Sequence, residues 1–389
     1  MLIEIHMLKN YPPTNLNRDD LGSPKTCVFG GTNRSRISSQ CLKRSWRKSE
    51  IFTDTVGVEY LGIRTRKFPV LIKEKLEELG VSTEYAEAIM PEMSVFMKKK
   101  EKGKEKKKEK ESKEDVTITA QIAMYSTQDI EDIAIVVKEE LERCHSISDV
   151  KKIDREDIWK KIKNAQIRPV SVDIALFGRM VTSDMFRDVE AAVQVAHAIS
   201  TNRVVMESDY FVAMDDLVSG KNQGDSRAGM IENTEFNSSC YYIYASIDTD
   251  ILAENLKGLE DVPQLVKKSV KAMLNAMAFT DPSGKQHAFA GHILPSFALV
   301  ECKEKKIPVS YSNAFAETVY PGGETGIIQK SIEKLLEERQ LIEQEFMVPV
   351  KESFVFCSSR YAEKVDLQAP LTVCRNYEEM TQKVISLLV

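Results

Sequence analysis

Between Leu21 and Ser49 the chain carries seven basic residues (Lys25, Arg34, Arg36, Lys43, Arg44, Arg47 and Lys48) and no acid. The protein as a whole has a formal charge of -5, so this cluster is a local feature and not a by-product of composition. Cations at this density suit one chemistry above others, the neutralisation of phosphates. The spacing predicts a helix starting at Ser38 or Ser39, because a hydroxyl there can accept an orphan N–H of the first turn. At about 100° per residue, Cys41, Leu42, Ser45, Trp46 and Ser49 fall on one side of that helix. Gln40, Lys43, Arg44, Arg47 and Lys48 fall on the other. Gly30 and Gly31 permit a tight turn just before it, and the free N–H groups of the helix start are a natural seat for a phosphate. On this reading Arg36, Lys43, Arg44 and Arg47 neutralise phosphates, and Ser38 and Gln40 donate hydrogen bonds to the same backbone.

Other residues extend the candidate surface. In Leu16–Asp20, Arg18 is a nucleic-acid contact and Asp19 and Asp20 are turn residues, since carboxylates repel phosphate. Lys25 and Arg179 add charge around the groove. Gly178-Arg179-Met180 closes a predicted strand, where a glycine lets backbone approach a ligand, Arg179 bonds phosphate and Met180 wedges against a base. Lys151–Lys163 is a second basic segment, with Lys151, Lys152, Lys160, Lys161 and Lys163 as a duplex-facing set and Ile153, Ile158, Trp159 and Ile162 to pack it. Lys98–Glu114 has ten lysines and five glutamates in seventeen residues. It can bury nothing and reads as a disordered, solvated arm or a non-specific DNA tether.

Enzyme signatures are few. Gly322-Gly-Glu-Thr-Gly326 lacks the Lys-Ser/Thr of a phosphate-binding loop, and no G-x-S-x-G elbow is present. The seven cysteines form no C-x-x-C pair and read as reduced thiols in a cytosol. The five histidines are scattered, so no zinc site is expected, and His197 reads as a structural histidine. Asp215-Asp216 is the one pair able to hold a divalent metal; as a single adjacent pair it reads as a turn or cap. No cofactor is implied. No apolar run approaches the ~18 residues of a membrane span, and Met1–Ile5 does not read as a signal peptide.

The elements that must position these groups read as α+β. Leu2–Leu8 alternates, with Ile3, Ile5 and Met7 opposite Glu4 and His6, and predicts a strand. Phe68–Leu79 and Asp129–Arg143 have helical spacing. Pro169–Phe177 predicts a strand and Asp188–Ser200 an amphipathic helix. Asn202–Asn237, polar and Gly-containing with Phe211 in its entry arm, predicts a projecting hairpin. Strands follow at Cys240–Ile247, Pro295–Cys302 and Glu352–Cys357, with helices at Pro263–Ala278, Gly326–Glu345 and Asn376–Leu388. Strand–helix–strand twice, with insertions, fits a ferredoxin-like or RRM-type sheet. Residues 1–53 and 169–389 would form it, 54–168 a helical insertion holding the lysine-rich arm 98–114, and 202–237 the hairpin. Tyr241, Tyr242 and Tyr244 match the RRM aromatic signature only in part, which favours the basic helix and loops as the phosphate-binding surface.

Several of these stretches stand in one order. Leu16–Asp20, Phe29-Gly-Gly31, Arg36-Ile-Ser-Ser-Gln40 with Leu42-Lys-Arg44, Val172–Leu176 with Gly178-Arg-Met180, Ala196–Ile199, Phe211 with Asp215–Leu217, Thr234-Glu-Phe236 and Asn313-Ala-Phe315 run across most of the chain. As an ordered set they resemble the CasC-type backbone subunit of the type I-E CRISPR Cascade complex. The resemblance implies palm, fingers and thumb for the sheet, insertion and hairpin. It implies a non-catalytic, cytoplasmic protein of antiviral defence, several copies of which line up along one CRISPR guide RNA beside other Cascade subunits and present it to target DNA. The thumb would fold over the guide, with Phe211 and Met180 breaking it into short stacked segments. A metal-dependent ribonuclease of the type III kind, using Asp215 and Asp216, is the alternative.

Overall fold

The structure is a computed structural model describing residues 1–95, 115–153, 158, 160–162, 170–180, 188–214, 228–323, 325–367 and 370–388. It divides into two compact units, one of residues 1–55, 193–249 and 270–389, the other of 56–192 and 250–269.

The first unit is built on one large, mostly antiparallel sheet. Its strands among the described residues are β1 (Leu2–Thr14), β2 (Thr26–Phe29), β3 (Thr32–Ile37), β6 (Val193–Val195), β7 (Ala198–Ser200), β8 (Glu207–Met214), β9 (Ala228–Asp248), β10 (Phe297–Lys303), β11 (Glu352–Cys357) and β12 (Thr372–Val373). The order is β12-β11-β10-β1-β9-β7-β3-β2, with β6 and β8 also on β9. Within it lies a ferredoxin-like core. In chain order β1, helix α1 (Ser39–Arg47), β7, β9, helix α5 (Val262–Phe279, of which the first unit holds the part from Val270) and β10 give β-α-β-β-α-β. The spatial order β10-β1-β9-β7 places the first and third strands at the centre. The fold is therefore α+β, as the alternation of predicted elements implied.

β1 sits at the centre because both its faces are apolar enough to bury. Ile3, Ile5 and Met7 have no exposed surface, and Leu8 joins Tyr242, Phe297, Leu299 and Val355 on the opposite face. There they pack with Ile328, Ile332 and Leu335 of helix α6 (Ile327–Phe346). Helix α7 (Tyr377–Ser386) closes the chain, capped by the Asn376 side chain. β9 is long enough for two tasks. Its later half pairs with β1, from Asn237↔Thr14 to Asp248↔Leu2, while its first half pairs with β8 as a hairpin outside the core sheet.

Buried charge under the sheet is paired or hydrogen-bonded. Glu4 pairs with Lys303, Arg339 Nε reaches Glu301 Oε1 at 2.7 Å, and Tyr311 donates to Glu301 Oε2 at 2.6 Å. His6 is fully buried, stacks on Tyr311 with centroids 4.5 Å apart and meets the Tyr242 hydroxyl at 2.8 Å. Burial drives its pKa down to about 3, with Glu301 opposing and Lys303 and Arg339 adding to the fall. Between the unfolded value near 6.5 and about 3, only the unfolded chain takes up this proton. The contribution of His6 to stability is thus full above pH 6.5 and falls by about 1.4 kcal/mol per pH unit below it. Urea titrations of the wild type and His6→Phe should diverge by that slope; parallel curves from pH 7 to 5 would refute the assignment.

The second unit is mainly helical. Helices α2 (Phe68–Glu78), α3 (Thr127–Leu141) and two short ones at Thr83–Ala88 and Met90–Ser94 stand beside a two-stranded ribbon, β4 (Ile63–Thr65) with β5 (Ala123–Tyr125). Phe68, Ile72, Leu76, Ile133 and Val137 share a core with Ile158 and Ile162 of the second basic segment, and Ile153 packs against it in part.

Two expectations fail here. Pro169–Phe177 reads as a strand, but Val172–Phe177 is a helix, α4, with Ser171 before it and Gly178 (φ 81°) ending it. Both alternating sets are buried from Ser171 to Leu176, and periodicity cannot separate a wholly buried strand from a short helix. Asp188–Ser200 reads as a helix, but β6 and β7 occupy its second half. The β-branched Val193, Val195 and Ile199 find partners on β9 and β3, and that pairing overrides the helical spacing. The lysine-rich arm 98–114 lies outside the described residues.

Candidate nucleic-acid interface

The basic stretch does not run straight from glycine turn to helix. Gly30 and Gly31 form the two-residue turn of the β2–β3 hairpin, with φ of 58° and 73°, and six residues of β3 separate them from α1. Two positive φ values in a two-residue loop match the right-handed twist of the flanking strands. A Cβ on Gly30 would stand 1.8 Å from the Ala316 carbonyl oxygen, so the hairpin tip lies directly on that backbone. The glycines therefore shape the hairpin and do not form a phosphate seat with the helix start.

One of the seven cations holds this arrangement from inside. Arg34 is fully buried and donates to four carbonyls: Ser200 at 3.0 Å, Thr201 at 2.8 Å, Phe315 at 2.7 Å and Ala316 at 3.1 Å. Its fork ties β3 to the end of β7 and to the 315–316 turn.

The remaining cations reach the surface. α1 starts as expected: Ser38 has extended backbone, its hydroxyl accepts from Cys41 N at 3.3 Å, and its own N–H donates to Asn17 Oδ1 at 2.9 Å. Leu42 and Trp46 are buried, and Gln40, Arg44 and Lys48 are exposed. Ser38 itself is buried, which leaves Gln40 as the exposed polar side chain of the first turn. Lys43 and Arg47 are half-buried, and burial holds the Lys43 amine below its usual pKa. Arg18 is exposed on the loop before β2, where the Asp19 carboxylate accepts from Leu21 N and Ser23 N as a turn residue.

Shared neighbours show that hairpin and helix make one face. Lys25 and Arg44 both act electrostatically on Cys41, Lys25 and Arg36 both act on His197, and Arg36 also acts on Cys27. Arg18, Lys25, Arg36, Lys43, Arg44 and Lys48 form no ion pair with a carboxylate among the described residues. Lysines of the second unit contrast with them: Lys73 pairs with Glu87 at 2.7 Å and Lys75 with Glu78 at 3.1 Å. One further residue joins this face. His197 is exposed and meets Arg36 Nη1 at 3.0 Å, so it belongs to this surface and not to a helix interior. Alternation from Val193 alone would not have found it, because the pairing with β9 shifts by one residue between Val195 and Ile199.

Other candidate residues lie elsewhere. Arg179 is in the second unit, buried, and bound to Asp129 Oδ2 at 2.6 Å. That carboxylate also closes the capping box with Ser126 at the start of α3. Arg179 is therefore a structural ion-pair partner here and not a surface cation. Met180 beside it is 91% exposed. In the duplex-facing set, Lys151, Lys152 and Lys160 are exposed; Lys152 pairs with Asp149 at 3.2 Å and Lys161 with Glu140. Lys163, Asp215 and Asp216 lie outside the described residues. On the β8–β9 hairpin Phe211, opposite Glu232, is 40% exposed and Tyr210, opposite Asn233, 65%. Neighbours on a strand face opposite sides, so the hairpin offers an aromatic ring on each, and Tyr210 is an addition to the expected wedge. Tyr241, Tyr242 and Tyr244 are buried, with Tyr241 bonded to Ser35, so the core sheet presents none of them for stacking.

Among the described residues no group of three His, Cys, Asp or Glu is placed to hold a metal ion, and all seven cysteines are free thiols. No helix among them is long and apolar enough to cross a membrane.

Comparison with known proteins bears on the fold and the family. No curated protein matches the chain. One solved chain, from a structure described as a CRISPR RNA-guided surveillance complex in a pre-nicking state, is 26% identical over all of both chains, with a TM-score of 0.80. Another, from a structure described as a CRISPR RNA-guided surveillance complex, is 23% identical over all of both chains, with a TM-score of 0.69, and supports the fold. The model of the family described as CT1975-like protein matches residues 3–381, and the chain belongs to that family.

Proposed function

We propose that this protein is a CRISPR RNA-binding backbone subunit of a type I-E Cascade surveillance complex. The observation that carries the reading is the face formed by Lys25, Arg36, Lys43 and Arg44, whose charges meet no carboxylate although the chain as a whole is acidic. A cationic surface left unneutralised by its own protein suits a polyanion. Its groups would bind phosphate and not base edges, making the subunit indifferent to guide sequence and leaving specificity to base pairing. Full-length likeness to a chain of a CRISPR RNA-guided surveillance complex supports the partner as guide RNA. The ordered motifs support the finer placement in type I-E, in the cytoplasm, with other Cascade subunits and target DNA as further partners.

In this reading copies of the subunit repeat along the guide, and the β8–β9 hairpin with Phe211 acts as the thumb. The subunit has no catalytic role of its own. If each protomer neutralises about four phosphates of a single strand, log K falls with log salt at a slope of about -3. A slope near zero between low and physiological salt would contradict the electrostatic contact. The identity is tested by co-expressing the chain with a CRISPR array and recovering its nucleic acid after nuclease treatment. Short RNA of repeat-spacer origin is expected; a chain without absorbance at 260 nm would favour a purely protein-binding scaffold. The ribonuclease alternative requires Mg²⁺- or Mn²⁺-dependent cutting of RNA paired to the guide, lost in Asp215→Ala; an uncut target removes it.

A further inference from the structure

His197 owes its exposure to a break in the sheet register. β6 pairs Val193↔Ile247, Gln194↔Ser246 and Val195↔Ala245, whereas β7 pairs Ile199↔Tyr242 and Ser200↔Tyr241. Four steps along this strand thus match three along β9, which is a one-residue bulge between Val195 and Ile199. Strict alternation from the buried Val193 would turn residue 197 inward. With the bulge, Ala198 and Ser200 take the buried places and the imidazole is exposed. Such an irregularity is a device for re-aiming one side chain.

The ring is aimed at Arg36. Arg36 Nη1 donates to His197 Nδ1 at 3.0 Å, and Arg36 Nε donates to the Thr26 carbonyl at 3.3 Å. A guanidinium has no acceptor, so Nδ1 carries no proton and the neutral ring keeps its proton on Nε2. The guanidinium is thereby held between β2 and the bulge by two uncharged acceptors, and its Nη2 has no acceptor among the described residues. Contacts of this kind fix orientation without neutralising charge. Arg339 and Arg179, by contrast, are fixed by carboxylates. His197 is kept below its usual pKa by burial first and by Arg36 and Lys25 next, which agrees with a neutral ring.

We propose that His197 is a positioning residue: through Nδ1 it holds the Arg36 guanidinium at the surface to bind a phosphate of the RNA strand. The proposal rests on the reading of this face as an RNA surface. The test is fluorescence anisotropy of a fluorescein-labelled single-stranded RNA with the nuclease-treated full chain. His197→Ala is expected to weaken binding about tenfold, the loss of one charge-assisted contact, with unchanged thermal unfolding. His197→Asn, whose Oδ1 stands near the place of Nδ1, is expected to restore most of the loss. In an Arg36→Ala background, His197→Ala should add less than about a twofold change, because the two act as a unit. Wild-type affinity in His197→Ala, or an equal loss in both backgrounds, overturns the proposal. Lys43→Ala with Arg47→Ala is measured alongside. If that variant keeps RNA, the reading of the whole face fails; if it loses RNA while His197→Ala does not, only the role of His197 fails.

Discussion

A chain carrying Lys43→Ala and Arg47→Ala is expected to purify folded and without guide RNA. Both side chains are half-buried on α1, whose packing rests on Leu42 and Trp46 on its other side. Their truncation should cost less than about 1 kcal/mol of stability. The effect on binding is larger. Each lost charge-assisted contact with a phosphate is worth roughly 1.5 kcal/mol or more, so two lower the affinity of one protomer about a hundredfold. Where copies repeat along one strand, the loss recurs at every copy. The check is a pull-down after nuclease treatment with the circular dichroism spectrum alongside. Wild-type RNA retention with a native spectrum would refute the assignment of α1 as the phosphate-binding helix.

Arg34→Met is expected to do the reverse and strike the fold before the binding. The side chain is enclosed, and its guanidinium satisfies four carbonyls from two segments. Methionine keeps much of the volume but strands those acceptors, at a cost of roughly 3 kcal/mol. For a unit of this size that lowers the melting temperature by about 6–12 °C. Lysine should not rescue it, because its three donors on one nitrogen cannot span the fork. A melting temperature within about 2 °C of wild type would show that Arg34 is not the tie between β3, β7 and the 315–316 turn.

The contrast between these two variants shows where sequence and structure part. Charge counting groups Arg34 with Lys43 and Arg47, since nothing local distinguishes a buried arginine from its exposed neighbours. The carbonyls that claim it lie about the 200–201 and 315–316 positions, far along the chain. Arg179 follows the same pattern, with the partner that buries it, Asp129, 50 residues away. Elements with a strong one-sided signal were legible from spacing. α5, β10, α6, β11 and α7 stand within two residues of their expected bounds, and β1 begins where expected but runs six residues further. Their apolar positions recur at a single period over enough residues to exclude the other. The stretches that misled were short or wholly buried. Val172–Phe177 offers no polar face to reveal its period, and the β6–β7 pair is interrupted by a bulge that shifts the phase midway. The β2–β3 hairpin went unseen because its cations dominate the composition, although Gly30-Gly31 is a two-residue hairpin signal in its own right. In the candidate site, the α1 surface was legible because amphipathic spacing is local, whereas His197 needed the strand pairing.

The central claim is that the face made by the β2–β3 hairpin and α1 grips a sugar-phosphate strand. Ultraviolet crosslinking of RNA to the complex, followed by mass spectrometry of the adducts, tests it most directly. Adducts concentrated on peptides spanning 18–48 and 193–200 are the predicted result. Adducts absent from both peptides, in a complex that retains RNA, would contradict it.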